Sequence, residues 1–259
     1  MDIPTDSVFN SDAYNELNRF LDHSKYKGQS IFFNLGYEKV NDKDDSKWNL
    51  TPFLFNKSSI RLVLEVIGDL DLDGLKIMDV GCWRGGTISI IHKFFEPREV
   101  VGIDSSKSAI DFCQANYDLP VTSFICADIN EFKASKQRFD VVIMIELMLF
   151  KPNIETVLKA LERHLKDDGV LLLAGIFDAG LMDLTDEILF KYYSLGSSKS
   201  ITDNVLMSCK KKVGIKSNIY SSFDCKELLD KVLITPNNPI FDGLAKGFFS
   251  YRVMRLIKK

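Results

Sequence analysis

Lys76-Ile-Met-Asp-Val-Gly-Cys-Trp-Arg-Gly-Gly-Thr87 decides the fold, because an apolar run stops there at an acidic residue and turns through glycines into a helical pattern. Ile77, Met78 and Val80 suit a strand buried on both faces. Gly81, Gly85 and Gly86 permit the positive-φ turns and close backbone approach that branched residues block. A helix starting after such a turn offers unpaired N–H groups, so the stretch reads as a site for a nucleoside-containing cofactor. It lacks the Gly-Lys-Ser/Thr ending that aims a lysine at β/γ-phosphates, which argues against a triphosphatase. The dinucleotide fingerprint fails too. Counting Gly-x-Gly-x-x-Gly from Gly81 puts Trp83 where a pyrophosphate must touch bare backbone.

Working outward, strand and helix patterns alternate from Lys76 onward, which predicts an α/β, doubly wound parallel sheet. The second strand, Val100 to Asp104, ends in a carboxylate about 20 positions past the glycine turn, placed to accept hydrogen bonds from ribose hydroxyls. The lesser alternative is that Asp104 merely caps the helix Ser106 to Tyr117. A third strand, Ser123 to Ile129, closes on Asp128 and Ile129, a pair that suits the amino group and flat face of adenine or simply opens a loop. Phe139 to Glu146 is an apolar fourth strand, Ile154 to Leu165 a helix, and Val170 to Ala174 the fifth strand after Asp167-Asp-Gly169. Asp79, Asp104, Asp128 and Glu146 thus fall at carboxyl ends of strands, the edge where open α/β sheets bind ligands.

Asp79, Gly81, Trp83 and Gly85 resemble motif I of the class I S-adenosylmethionine-dependent methyltransferases, Asp/Glu-x-Gly-x-Gly-x-Gly, with one glycine replaced. With the later acidic strand ends, residues 76 to 178 resemble motifs I to IV of that family. The resemblance implies a Rossmann-like seven-stranded sheet with an antiparallel last strand and S-adenosylmethionine as cofactor, leaving as S-adenosylhomocysteine. It implies cofactor contacts from Tyr37, Asp79, Gly81, Cys82, Gly85, Asp104, Ser105, Asp128, Ile129 and Ile145, and no metal. Asn34-Leu-Gly-Tyr37, Ile201-Thr-Asp-Asn-Val-Leu206 and the closing Gly247 to Lys258 further resemble the phthiotriol/phenolphthiotriol dimycocerosate methyltransferase branch and its natural-product relatives. That likeness implies a small, hydrophobic, often lipidic or polyketide acceptor, with O-methylation favoured over N- or C-methylation. In that branch the fourth strand runs into Glu-x-x-His. Glu146 and Pro152 are kept here, but Leu149 stands where the histidine belongs. Glu146 or His23 is then the candidate proton acceptor, or the acceptor needs none. His92 and His164 lie on sheet-covering helices and read as surface residues.

Residues 1–70 read as an N-terminal helical cap. Tyr14, Leu17, Phe20 and Leu21 fall at helical spacing, an aromatic segment follows at Ile31 to Tyr37, a polar loop at Asn41 to Ser46, and Thr51-Pro52 opens a second helix. Residues 71–259 read as the cofactor-binding core. Its strand–helix rhythm breaks after Asp178, where a helix at Leu181 to Tyr193 and a flexible joint at Gly196 to Ser200 read as a helical lid insertion after strand 5, over about 179–215. Strands at Ser217 to Phe223 and Gly247 to Ile257 complete the sheet. Trp83, Leu149, Phe190 and Tyr193 are the candidate substrate contacts, with Tyr37 and the Phe190 to Tyr193 aromatics expected to meet around an apolar acceptor.

Composition sets the bounds: 259 residues, 46% hydrophobic and 27% charged, are ordinary for one large globular domain. A net charge of −3 without a basic run gives no footprint for nucleic acid. Five cysteines, scattered singly, suit a reducing compartment. The start of the chain has no leader pattern and no apolar run reaches the roughly 18 residues of a membrane span, so a cytoplasmic protein is expected. A homodimer is left open. Two functions fit: methyl transfer to a small acceptor, or binding of S-adenosylmethionine without transfer, as in a cyclisation. A nicotinamide-dependent dehydrogenase ranks below both because of Trp83.

Overall fold

The computed structural model describes residues 11–24, 27–28, 30–39, 48, 50, 56–132, 138–148, 154–220, 234–236 and 238–259. The polar loop at 41–46, the Thr51-Pro52 helix start and Leu149 lie outside them. Helices α1 (Ser11–Asp22) and α2 (Lys57–Ile67) precede β1 (Lys76–Val80), α3 (Gly86–Phe94), β2 (Glu99–Asp104), α4 (Lys107–Asn116) and β3 (Thr122–Cys126). Then come β4 (Phe139–Met148), α5 (Ile154–His164), β5 (Leu165–Asp178), a 3-10 turn (Ala179–Leu181), α6 (Met182–Tyr192), β6 (Tyr193–Ser200), α7 (Thr202–Tyr220), α8 (Pro239–Ala245) and β7 (Phe249–Lys258).

Seven strands form one sheet in the order β3-β2-β1-β4-β5-β7-β6. The pairs from β3 to β5 are parallel, and β7 runs antiparallel between β5 and β6. The inner strands read as continuous apolar runs because both sheet faces are covered by helices. Alternate residues feed two separate cores: Ile77, Val141, Ile143 and Leu172 on one face, Met78, Val142, Met144 and Leu171 on the other. The chain lays β1, β2 and β3 outward in one direction and returns to place β4 on the other side of β1. A crevice opens where the winding reverses, at the carboxyl ends of β1 and β4.

Several expectations are corrected. The sixth strand is Tyr193–Ser200, so the Gly196 to Ser200 joint is an edge strand paired to β7, and part of the stretch expected as a lid belongs to the sheet. Its residues are mostly exposed, which removes the apolar alternation by which strands are read. Ser217 to Tyr220 lie in α7, not in a strand. That helix buries Val205 and Cys209, one turn apart. His164 is buried with its ring 5.2 Å from that of Phe132, and His92 hydrogen-bonds Thr122 Oγ1 at 2.7 Å, so neither is a free surface residue.

Candidate active site

The crevice holds a cavity of about 420 Å³. Asp79, Gly81, Cys82, Asp104, Ser105, Asp128, Ile129, Ile145, Glu146 and Trp83 all line it, together with Phe32, Phe33 and Asn34 of the aromatic segment. Gly81 turns with φ +75°, and a Cβ built there would meet nothing within 4 Å, so the turn leaves open space over its backbone. Gly85 also has φ +75° and lies at the start of α3, outside the cavity lining, where a Cβ would strike the Tyr117 ring at 2.6 Å. Gly86 lets the aromatic segment come close: a Cβ there would sit 2.5 Å from Ile31 O.

Asp104 is held by two backbone donors. Trp83 N–H donates to Oδ2 and Ser106 N–H to Oδ1, each at 2.8 Å. Ser106, not Asp104, caps α4, its hydroxyl accepting from Ala109 N–H at 3.4 Å. Each Asp104 oxygen keeps a lone pair for a ligand hydroxyl. Asp79 is 2% exposed and its Oδ2 has no hydrogen-bonding partner among the described residues. Burial, with the Asp104 charge beside it, pushes its carboxyl up to about 8. An ionised Asp79 therefore needs a cation that the described residues around it do not supply, which fits the ammonium of an amino-acid ligand. Cys82 is no nucleophile, since burial holds its thiol well above the ordinary range.

Glu146 sits on a bulge. Its φ is +68°, and the pairing of β4 with β5 slips a residue between Ile145 and Leu147. The strand continues to Met148, and the bulge re-aims one carboxylate at the crevice. Glu146 Oε1 accepts from Leu35 N–H at 2.9 Å and from Tyr251 O–H at 2.7 Å. Burial raises its carboxyl above the ordinary range and pushes the Tyr251 hydroxyl well up. The segment that delivers Leu35 is strapped on both sides. Lys212 donates to Asn34 O at 2.7 Å and Ser208 Oγ to Leu35 O at 2.7 Å, both from α7, while Tyr37 N–H donates to Ser58 O at 2.8 Å on α2. The buried Glu38 accepts from Arg61 at 2.8 Å and from Lys211 at 2.6 Å.

Residues 77–169 match the methyltransferase domain family. Over that stretch the chain is similar to the class I S-adenosylmethionine-dependent methyltransferases. Among curated methyltransferases, it is 25% identical over 149 residues to the fatty-acid O-methyltransferase of Mycolicibacterium smegmatis, covering 55% of this chain and 51% of that one. It is 29% identical over 121 residues to the phthiotriol/phenolphthiotriol dimycocerosates methyltransferase of Mycobacterium leprae, covering 47% and 45%. The chain thus spans about half the length of the curated relatives it matches. The mycolic acid cyclopropane synthase CmaA1 complexed with SAH and CTAB shares the fold at TM-score 0.71 and 15% identity, over 96% of both chains. The [4+2]-cyclase SpnF does so at 0.70 and 14%, over 96% of this chain and 94% of that one.

The remaining site candidates fall elsewhere. Tyr37 is buried in the core with Leu35 and Ile60, outside the cavity lining. Tyr193 is fully buried on the opposite sheet face, donating to Leu158 O at 2.9 Å, and Phe190 packs into that same core. The two sets of aromatics expected to meet are therefore separated by the sheet. His23 is exposed at the end of α1, hydrogen-bonded to Arg19 O at 2.7 Å, and does not line the cavity. Phe33, whose ring centroid lies 5.1 Å from that of Trp83, was signalled only by the aromatic segment. Tyr251 and Lys212 had no signal, because each reaches the site region from a distant part of the chain.

Proposed function

We propose that this protein transfers a methyl group from S-adenosylmethionine to a small hydrophobic acceptor, with oxygen the favoured atom. The observation that carries the reading is one cavity lined by both Asp79, whose Oδ2 has no partner among the described residues, and the doubly held Asp104, with Phe32, Phe33, Trp83, Met144 and Ile145 in its walls. Asp104 would take the ribose hydroxyls, Asp79 and the Gly81 turn the amino-acid end, and Asp128 with Ile129 the adenine. Ser105, Cys82 and Ile145 would complete the walls. Bound S-adenosylmethionine supplies a methyl carbon activated by a sulfonium. The chain's own residues would hold the acceptor in line with that carbon and exclude water. Glu146, fixed by Leu35 and Tyr251 through one oxygen, keeps the other to take a proton from an acceptor hydroxyl. Its raised pKa favours that role over permanent ionisation.

Support for a lipidic acceptor comes from the fatty-acid O-methyltransferase and the phthiotriol/phenolphthiotriol dimycocerosates methyltransferases among the relatives. A second reading keeps the cofactor unreacted, and the shared fold with a [4+2]-cyclase favours keeping it in the test. Long-chain fatty acids, phenols and polyketide alcohols are incubated with the enzyme and methyl-labelled S-adenosylmethionine, and products are weighed. A gain of one methylene with release of S-adenosylhomocysteine is expected; a converted product of unchanged mass would select the second reading. A cytoplasmic placement rests on the scattered cysteines, and acceptors other than nucleic acid on the net charge. Among the described residues no helix is long and apolar enough to cross a membrane.

A further inference from the structure

Arg84 occupies the motif turn between Trp83 and Gly85, yet its side chain leaves the cavity and is fully buried against α1. Its guanidinium pairs with Asp22 at 3.0 Å and donates to Asn18 Oδ1 at 3.4 Å and to Lys27 O at 3.2 Å. The guanidinium carbon lies 3.5 Å from the Phe112 ring centroid, and the Arg84 carbonyl accepts from Tyr117 O–H at 2.9 Å. A desolvated guanidinium is tolerated only while its partners stay in place, so the turn and α1 hold each other.

A second set of contacts ties the same helix to the other side of Asp104. Ser106 Oγ donates to Asn15 Oδ1 at 2.9 Å and accepts from Asn18 Nδ2 at 3.4 Å, and Ser108 Oγ donates to Asn15 at 3.0 Å. The two backbone donors that orient the Asp104 carboxylate, Trp83 N–H and Ser106 N–H, are thus each fastened to α1, one through the neighbouring Arg84 and one through its own hydroxyl. Leu17 and Leu21 bury the apolar side of the helix, so α1 is seated by packing and aligned by these polar contacts.

We propose that α1 is a clamp on the ribose carboxylate, with Arg84 and Asp22 as the positioning pair that couples docking of this helix to occupancy of the cofactor cavity. The inference rests on the cofactor reading above and names residues that touch no cofactor atom. Linkage makes the coupling reciprocal: whatever aligns Asp104 tightens the nucleoside, and a bound nucleoside holds α1 down.

The test uses the full chain, with S-adenosylhomocysteine and adenosine as probes. Hydrogen exchange over residues 11–22 is followed with and without S-adenosylhomocysteine, and affinities are measured by calorimetry for the wild type, Asp22→Asn, Asp22→Glu and Asn15→Ala. In the wild type the ligand is expected to slow exchange in α1. Asp22→Asn and Asn15→Ala should each weaken both probes by about five- to tenfold, within the usual range of coupling. Asp22→Glu should recover most of the loss. Equal losses for adenosine and S-adenosylhomocysteine place the effect at the ribose rather than the amino-acid end. Exchange in α1 that ignores the ligand, or a variant that frees α1 while leaving both affinities unchanged, overturns the clamp with the cofactor reading intact. A wild type that binds neither probe overturns the cofactor reading itself.

Discussion

Replacing Asp79 by Asn should stabilise the ligand-free protein and weaken its cofactor, and the two effects have opposite pH trends. A carboxyl that titrates at about 8 in the folded chain and at 3.8 when free binds its proton more tightly folded than unfolded. Between those values the unfolded chain gives up the proton first, so stability falls as pH rises, by about 1.4 kcal/mol per pH unit, and the penalty is complete above about pH 8. At pH 7 the accumulated penalty is about 4 kcal/mol, an upper figure for a group whose surroundings can relax. Asp79→Asn has no such proton to lose. Urea unfolding of wild type and variant from pH 4.5 to 8 should therefore show a stability difference that grows with pH in the variant's favour. A difference that stays flat across that range refutes the buried, unpartnered carboxylate. In the wild type, a cationic amino-acid end would bind the ionised form, so S-adenosylhomocysteine binding at pH 7 should release about one proton. Calorimetry in two buffers of different ionisation enthalpy reads that number directly, and Asp79→Asn should abolish it.

Asp104→Ala should lower S-adenosylhomocysteine affinity by at least about 100-fold, since each of two hydrogen bonds to a charged acceptor contributes about 1.5–3 kcal/mol, and unchanged calorimetric affinity would count against its role. Glu146→Gln should slow single-turnover methyl transfer at least about tenfold, roughly 1.4 kcal/mol of barrier. The wild-type rate should fall as pH drops through a carboxyl pKa above the ordinary range, and a smaller effect with no such limb means that positioning alone drives the step. Gly86→Ala gains about 0.5–1 kcal/mol of helix propensity but forces its Cβ to 2.5 Å from Ile31 O. The clash should win, giving a net loss of about 1–2 kcal/mol in thermal unfolding and a displaced aromatic segment. Trp83→Gly relieves the φ of +43°, worth about 1–2 kcal/mol. It also empties a buried ring site at a cost of about 3–5 kcal/mol, so chemical denaturation should show net destabilisation.

The sheet was legible where both of its faces are covered. The runs at 76–80, 100–104 and 139–146 are apolar because β1, β2 and β4 are sandwiched between helices, and each ends at a carboxylate that the topology brings to one crevice. Legibility failed at the edge. Tyr193–Ser200 carries serines, a glycine and a lysine because only its first residue is buried, so backbone pairing to β7, invisible to periodicity, makes it a strand. The motif residues at 79, 81 and 104 could be placed because their spacing is local to one turn and its neighbouring strand. Tyr37 and Tyr193 could not, since aromatic character does not tell which sheet face a residue will join. Tyr251 meets Glu146 across 105 positions of chain. No local pattern encodes that encounter.

The place of β7 constrains how the molecule can assemble. Strands β5 and β6 are neighbours along the chain, joined through α6, yet in the sheet they stand apart with β7 between them. Without β7, β5 presents an unpaired edge from Val170 to Asp178, and β6 has no strand to pair with. Strand β5 can pair with β4 beforehand, but β6 can join the sheet only through β7, a pairing of high contact order that leaves an adhesive edge open until it forms. The same insertion brings the Tyr251 hydroxyl to Glu146. Completion of the fold and completion of the proposed reaction centre then coincide, so a chain that has not closed its sheet also lacks the Tyr251 contact to Glu146.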